Sequence, residues 1–411
     1  MSTVSRFVGR ADDLQAVDEL LTQNSRVNIA AAVGMGGVGK TELALQYARW
    51  RNDCFPGGVC WLRGVEPIAP QIVSFAREQL DLTVPEQTDD PVAWCVRRWP
   101  KEGERSGPVL MVVDNVQDYG ALKQMLPSDQ RFRVLLTTRQ AILPVGQRLA
   151  LKVLVPEAAL ELLTSLVGTE RIEAELANAK ALCEWVGRLP LGIELVGWHL
   201  ARRPDLTIAM LIERLESKRL AAKALVETHP EMTAELGVAA AFEVSWEPLT
   251  AEAKTLAGLL GLFAPAPINW DWVQQASEQG QEGLNEEALE DAQAELLQMH
   301  LLQMTGTQGE RRYQVHPLVR EFFMVKLAEL SHAEGLQRGF AQAMTEVAKT
   351  IPPTVTLAVR TQKGEAVPHM EEVALRWTKR LEGFDKLWCC IGLARSYKSL
   401  NQWKEAERCY E

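Results

Sequence analysis

A chain of 411 residues has room for two to four domains and for sizeable buried cores. A hydrophobic fraction of 47%, a charged fraction of 24% and a formal charge of −10 are ordinary for a soluble globular protein and argue against nonspecific binding to nucleic acid or an anionic membrane. No run of 18 apolar residues occurs, and the N-terminus lacks the basic-then-apolar order of an export signal, so a cytoplasmic chain without membrane contact is predicted.

In chain order, Phe7-Val8-Gly9-Arg10 precedes a helix-like pattern through Leu21. An apolar run (Val27, Ile29, Ala30 to Val33) then predicts a buried strand that stops at a glycine cluster, and Thr41 to Arg51 predicts a helix. Between them, Gly34, Gly39, Lys40 and Thr41 match G-x-x-x-x-G-K-[ST]. Glycines let the backbone approach a polyphosphate, so successive N–H groups and the positive end of the next helix point at it. Lys40 supplies a point charge to the phosphates and the Thr41 hydroxyl a ligand to Mg²⁺. Gly36, Gly37, Val38 and Glu42 complete the predicted phosphate-binding set.

Further on, Val59 to Leu62 reads as a strand, Ala69 to Leu80 as a helix and residues 81–91 as a surface loop. Val109 to Val113 is an apolar run ending at Asp114-Asn115, the way a buried parallel strand delivers a carboxylate to its C-terminal edge. Asp114 is predicted to hold Mg²⁺; the competing reading is a cap for the following helix. A strand over Arg133 to Thr138 ends at Arg139, placed to sense a terminal phosphate. Alternating strands and helices to residue 155 predict a three-layer α/β domain with a parallel sheet.

From residue 156 the pattern is helical: Pro156 to Val167, Glu170 to Val186, a turn at Gly187-Arg188-Leu189-Pro190-Leu191-Gly192, and Ile193 to Arg202. Helices over Ala239 to Ser245, Ala251 to Leu262 and Glu286 to Met299, then short strands over Leu301 to Thr305 and Arg311 to Val315, predict a winged helix. At the end, Leu393, Ala394, Tyr397, Asn401, Trp403, Glu405, Ala406 and Tyr410 fit a tetratricopeptide unit. One such unit cannot bury its own face, which predicts a longer natural chain. The seven scattered cysteines lack CxxC or Cys/His spacing and are expected to be free, buried thiols.

Taken together, Phe7 to Arg10, Gly34 to Thr41, Asp114-Asn115, Leu136-Thr137-Thr138-Arg139, Gly187 to Leu191 and Val315-His316-Pro317-Leu318 resemble, in order, the motifs of the NB-ARC branch of the STAND signal-transduction ATPases. The resemblance implies a P-loop nucleotide-binding domain at 1–155, a helical domain at 156–230, a winged-helix domain at 231–330, a helical linker at 331–380 and the start of a TPR-like superhelix at 381–411. It implies Val8 and Arg10 beside adenine, Pro190 packed on the base and His316 reaching ADP phosphates. Lys40, Asp114, Asn115 and Arg139 would carry weak, Mg²⁺-dependent ATP hydrolysis. The implied function is a switch that rests closed on ADP, opens and self-associates with ATP, and takes a stimulus on the TPR region.

Two departures stand out. Many relatives carry Asp where this chain has Asn115, and an amide can hold a water but cannot accept its proton. Pro317 replaces an Asp that follows the His in many eukaryotic members, removing a charge and a backbone donor. The competing function is an AAA+-like initiator or loader ATPase that uses its winged helix on DNA. An acidic chain whose wing carries only Arg311 and Arg312 weighs against it, and no nucleic-acid partner is expected.

Overall fold

The computed structural model describes residues 7–31, 36–85, 88, 90–103, 105–138, 147–228, 236–280, 283–305, 311–356, 359, 363–399, 406–407 and 409. Gly34 and Arg139 lie outside these residues, as do Asn401, Trp403, Glu405 and Tyr410.

The first part alternates α1 (Ala11–Gln23), β1 (Arg26–Ala31), α2 (Lys40–Trp50), β2 (Val59–Arg63), α3 (Ile68–Leu80), α4 (Pro91–Arg98), β3 (Val109–Asp114), α5 (Tyr119–Met125), β4 (Phe132–Thr137) and β5 (Arg148–Leu151). The strands form one five-stranded sheet in the order β2-β3-β4-β1-β5, and every pair is parallel. β3 is buried from Val109 to Val113 because helices cover both faces. Leu110 and Val112 pack into the core shared with α1 and α2, whereas Val109, Met111 and Val113 face the core under α3. In that second core Trp99 stacks on Phe75 at 5.4 Å, meets Phe132 edge-on at 5.2 Å and donates its indole N–H to the Gly57 carbonyl at 2.7 Å. Truncating so buried a Trp costs about 3–5 kcal/mol.

On the opposite face, Asp18 of α1 accepts from Arg51 Nε at 2.8 Å and Nη2 at 2.7 Å and from the Tyr47 hydroxyl at 3.0 Å, tying α1 to α2. β1 lies between β4 and β5, and β4 connects on to one side of it while β1 connects on to the other, so a crevice forms at the carboxyl edge between β4 and β1. β5 was not expected. It is a four-residue edge strand with three of its residues partly exposed, so it carries no buried apolar run.

Helices follow: α6 (Pro156–Val167), α7 (Thr169–Ala174), α8 (Leu176–Trp185), α9 (Pro190–Arg202), α10 (Ile208–Thr228) and α11 (Leu236–Trp246). The expected single helix over Glu170 to Val186 is broken at Glu175, whose carboxylate accepts from the backbone N–H of Ile208 at 2.9 Å and Ala209 at 3.1 Å. Glu175 thereby caps a helix 33 residues away. α9 begins at Pro190 rather than Ile193, because a proline at the first helical position loses no hydrogen bond.

The third part holds α12 (Ala251–Leu262), β6 (Ile268–Asn269), α13 (Trp270–Gln279), α14 (Glu286–Gln298), β7 (Gln303–Met304), β8 (Arg312–Gln314) and α15 (Pro317–Leu327). Its strands form an antiparallel sheet in the order β6-β8-β7, one strand more than the sequence pattern shows. α16 (Ala333–Lys349) and helices over Val367–Glu372 and Asp385–Ser399 close the described chain. His369 pins these last helices to the end of α12. Its Nδ1 accepts from the Ala264 N–H at 3.0 Å, and Nε2 donates to the Pro267 carbonyl at 3.0 Å. All seven cysteines are free, and Cys60, Cys95, Cys183 and Cys389 are buried. Among the described residues no helix is long and apolar enough to cross a membrane.

Candidate nucleotide site

The described part of the loop runs from Gly36 into the first turn of α2 at Lys40. Gly37 and Gly39 have φ of 72° and 95°, a backbone turn that suits glycine and lets consecutive N–H groups point into one concavity. Val38 is buried and anchors the turn. Arg10 holds it as well: Nη2 donates to the Val38 carbonyl at 3.0 Å while Nη1 pairs with Asp13 at 2.9 Å. Val8 is buried in the core with Val38. Arg10 therefore sits against the loop, and neither Val8 nor Arg10 is among the residues that line the cavity in front of it.

That cavity has a volume of about 990 Å³ and draws its walls from all three parts of the chain. Gly36 through Glu42, Asp114 and Asn115 come from the α/β part, Pro190 and Glu194 from α9, and His316 from the start of α15. Lys40, Thr41, Asp114, Asn115, Pro190 and His316, chosen from sequence, thus share one space.

At the carboxyl edge of the sheet, Asp114 Oδ1 accepts from the Thr41 hydroxyl at 2.7 Å and from the Thr137 hydroxyl. Thr137 Oγ1 in turn accepts from the Asn115 N–H at 2.9 Å. Burial holds the Asp114 carboxyl above the ordinary range, opposed by these hydroxyls, Lys40 and Arg63. The capping alternative for Asp114 fails, since Asp118 caps α5 by accepting from the Ala121 N–H at 3.1 Å. Asn115 sits at φ 59°, a left-handed backbone that Asn and Asp tolerate best among non-glycine residues.

One hydroxyl and one carboxylate converging beside a phosphate-type loop suit Mg²⁺, which takes few protein ligands and fills its shell with water and phosphate oxygens. Among the described residues no cluster of three His, Cys, Asp or Glu exists that could hold a metal by side chains alone.

The other two parts touch the loop directly. The Leu191 N–H of α9 donates to the Gly37 carbonyl at 3.4 Å. A Cβ built on Gly37 would stand 3.0 Å from Leu191 Cβ, and one on Gly36 would stand 2.8 Å from Leu318 of α15. These two parts also meet each other: Trp198 stacks on His300 at 4.2 Å, and Arg202 donates to Gln298 Oε1 at 3.2 Å. His316 is the N-cap of α15, its Nδ1 accepting from the Leu318 N–H at 3.2 Å, so it has a local backbone partner and also faces the cavity.

Two residues that line the site, Arg63 and Glu194, are not among those the sequence motifs name. Arg63 also ends an apolar strand run, so the rule that found Asp114 reaches it too. Glu194 is an acid inside the otherwise apolar Gly192 to Val196 stretch, a pattern that flags a buried charge. Leu318 belongs to the sequence motif around His316, but its contact with Gly36 exists only once α15 is docked.

A glycine loop that follows an inner strand of a parallel sheet, enters a helix through Lys-Thr and faces a strand-end aspartate is the architecture of a P-loop NTPase, and it makes this a nucleotide-binding protein. No protein-family model matches the chain. It is 32% identical over 277 residues to the regulatory protein AfsR of Streptomyces coelicolor, covering 63% of this chain and 27% of that protein. It is 27% identical over 219 residues to the probable disease resistance RPP8-like protein 2 of Arabidopsis thaliana, covering 48% and 23%. The chain thus spans about a quarter of the length of these relatives. These relatives support an NB-ARC-type P-loop NTPase family for the chain. A solved structure of the Aeropyrum pernix ORC2 protein superposes with a TM-score of 0.33 at 14% identity, covering 80% of this chain and 97% of that one, too loose a match to carry a functional inference.

Proposed function

We propose that this chain is a nucleotide-operated signalling switch. ADP in the cavity keeps three units closed on the phosphate loop, exchange for ATP opens them and permits self-association, and slow Mg²⁺-dependent hydrolysis restores rest. The units are the P-loop domain at 1–155, a helical domain at 156–230 and a winged helix at 231–330, with a linker to 380 and a TPR-like segment that receives the stimulus. The carrying observation is that Leu191 and Leu318, from two different units, both rest on the glycines of one loop.

A ligand shifts an equilibrium only by contacting the two states differently, and a loop gripped from both sides makes nucleotide identity such a difference. Moving the population from 1:99 to 99:1 takes about 5.5 kcal/mol. Lys40 and the loop N–H groups hold phosphates, Thr41 and Asp114 hold Mg²⁺, Pro190 packs on the base, and Asn115 positions water. The His316 ring, accepting at Nδ1, carries its proton on Nε2, which suits donation to a phosphate oxygen. Against a DNA-binding role, the strand cations are engaged internally: Arg312 pairs with Glu365 at 3.1 Å and Arg311 reaches Glu290 at 3.8 Å.

Mass spectrometry of the nucleotide that co-purifies is expected to find ADP. His316→Ala is expected to weaken ADP binding by about tenfold to a hundredfold and ATP binding less. Equal loss for both nucleotides, or no loss, would remove His316 from the closed-state contact. Lys40→Ala should abolish tight binding of both, and affinity within about threefold of wild type would overturn the site assignment.

A further inference from the structure

Arg63 occupies a built position that the phosphate-loop motif leaves unassigned. It is the last residue of β2 and lies directly opposite Asp114 in the parallel register, at the same carboxyl edge of the sheet. Gln71 of α3 locks its backbone from both sides: the Arg63 N–H donates to Gln71 Oε1 at 2.8 Å, and Gln71 Nε2 donates to the Arg63 carbonyl at 3.0 Å. The guanidinium lines the cavity with Lys40, Thr41 and Asp114 and pairs with Glu66 at 3.3 Å.

Glu66 is the more buried partner, its side chain 4% exposed against 37% for Arg63, so the arginine faces the open space. Arg312 of β8 and Glu365 act on the same carboxylate, which places the Arg63–Glu66 pair at a seam between the α/β part and the third part. An arginine fork beside the carboxylate and hydroxyl that suit Mg²⁺ is suited to a phosphate with two or three terminal oxygens.

We infer that Arg63 is a specificity-determining residue for nucleoside triphosphate over diphosphate: its guanidinium binds the terminal phosphate, shifts charge away from Glu66 and so reports ATP to β8. The inference rests on the nucleotide-site reading above. It differs from it in naming a side chain that ADP does not need.

The test measures Kd for ADP and for a nonhydrolysable ATP analogue, both with Mg²⁺, on the full chain. Arg63→Ala is expected to weaken the ATP analogue by roughly tenfold to a hundredfold and to leave ADP within about twofold. Arg63→Gln keeps a donor for Glu66 and removes the charge, so it guards against misfolding and should show the same selective loss. An unchanged ratio of the two Kd values in both variants overturns the inference. Lys40→Ala separates the two claims: loss of both nucleotides there with no selective loss at Arg63 sinks only the Arg63 assignment. Retention of both in Lys40→Ala sinks the nucleotide site and this inference with it.

Discussion

Leu318 of α15 lies on Gly36 of the phosphate loop so closely that a Cβ at Gly36 would stand 2.8 Å from its Cγ, Cδ1 and Cδ2. Leu318 is fully buried. Gly36→Ala should therefore push α15 off the loop at a cost of about 1–3 kcal/mol, seen as faster dissociation of ADP. Leu318→Ala makes room for the added methyl. The double variant should recover most of what Gly36→Ala loses, whereas additive losses would mean that the two side chains do not couple.

Asn115 lines the cavity next to Asp114, with a backbone φ of 59° that Asp also accepts, so Asn115→Asp changes chemistry with little strain. A second carboxylate supplies the proton acceptor that an amide lacks. Single-turnover ATP hydrolysis is expected to rise at least about tenfold, general-base catalysis being worth 10² or more when well placed. No rise would put the attacking water elsewhere.

Glu194 of α9 lines the same cavity, and burial, with the nearby Glu42 charge adding to it, pushes its carboxyl up to about 8. It is therefore uncharged at pH 7 and ionises as the pH rises to 9. Each ionised copy adds one negative charge facing the bound phosphates, so nucleotide affinity should fall about fivefold over that interval. Glu194→Gln mimics the protonated acid and should hold its affinity constant from pH 7 to 9. A parallel fall in the variant would assign the pH dependence to another group.

What could be read in advance followed local physics. The run Val109 to Asp114 is apolar on both faces because helices cover both, and the loop's glycines and Lys40-Thr41 are spaced by what a polyphosphate requires. What escaped depends on partners distant in sequence. The break at Glu175 exists because its carboxylate caps α10, and β6 is two residues long and acquires strand character only by pairing with β8. Pro190 was chosen for its place beside the base, yet its neighbour Leu191 makes the backbone bond to Gly37, a contact that no periodicity encodes. Arg10, expected beside the base by resemblance, also donates to the Val38 carbonyl of the loop, a bond between residues 28 apart that no local pattern shows.

His369 is buried between Phe263 and Trp272, at 5.4 Å from each ring. Burial lowers its pKa from 6.5 to about 4, a shift that its bond to the Pro267 carbonyl opposes and nearby Arg320 assists. In the unfolded chain the ring titrates near 6.5, so unfolding takes up a proton between these two values. Its contribution to stability is complete above pH 6.5 and is lost as the pH falls toward 4. By linkage, one such group removes about 2 kcal/mol between pH 7.5 and pH 5. His199, lowered to about 4 chiefly by burial, acts with the same sign, so the wild-type loss combines both. His369→Gln should be less stable at pH 7.5, since it disturbs the bonds to Ala264 and Pro267, but its stability should fall about 2 kcal/mol less than wild type on going to pH 5. Urea unfolding at the two pH values measures this difference, and identical falls in the two proteins would show that His369 is not the group taking up the proton.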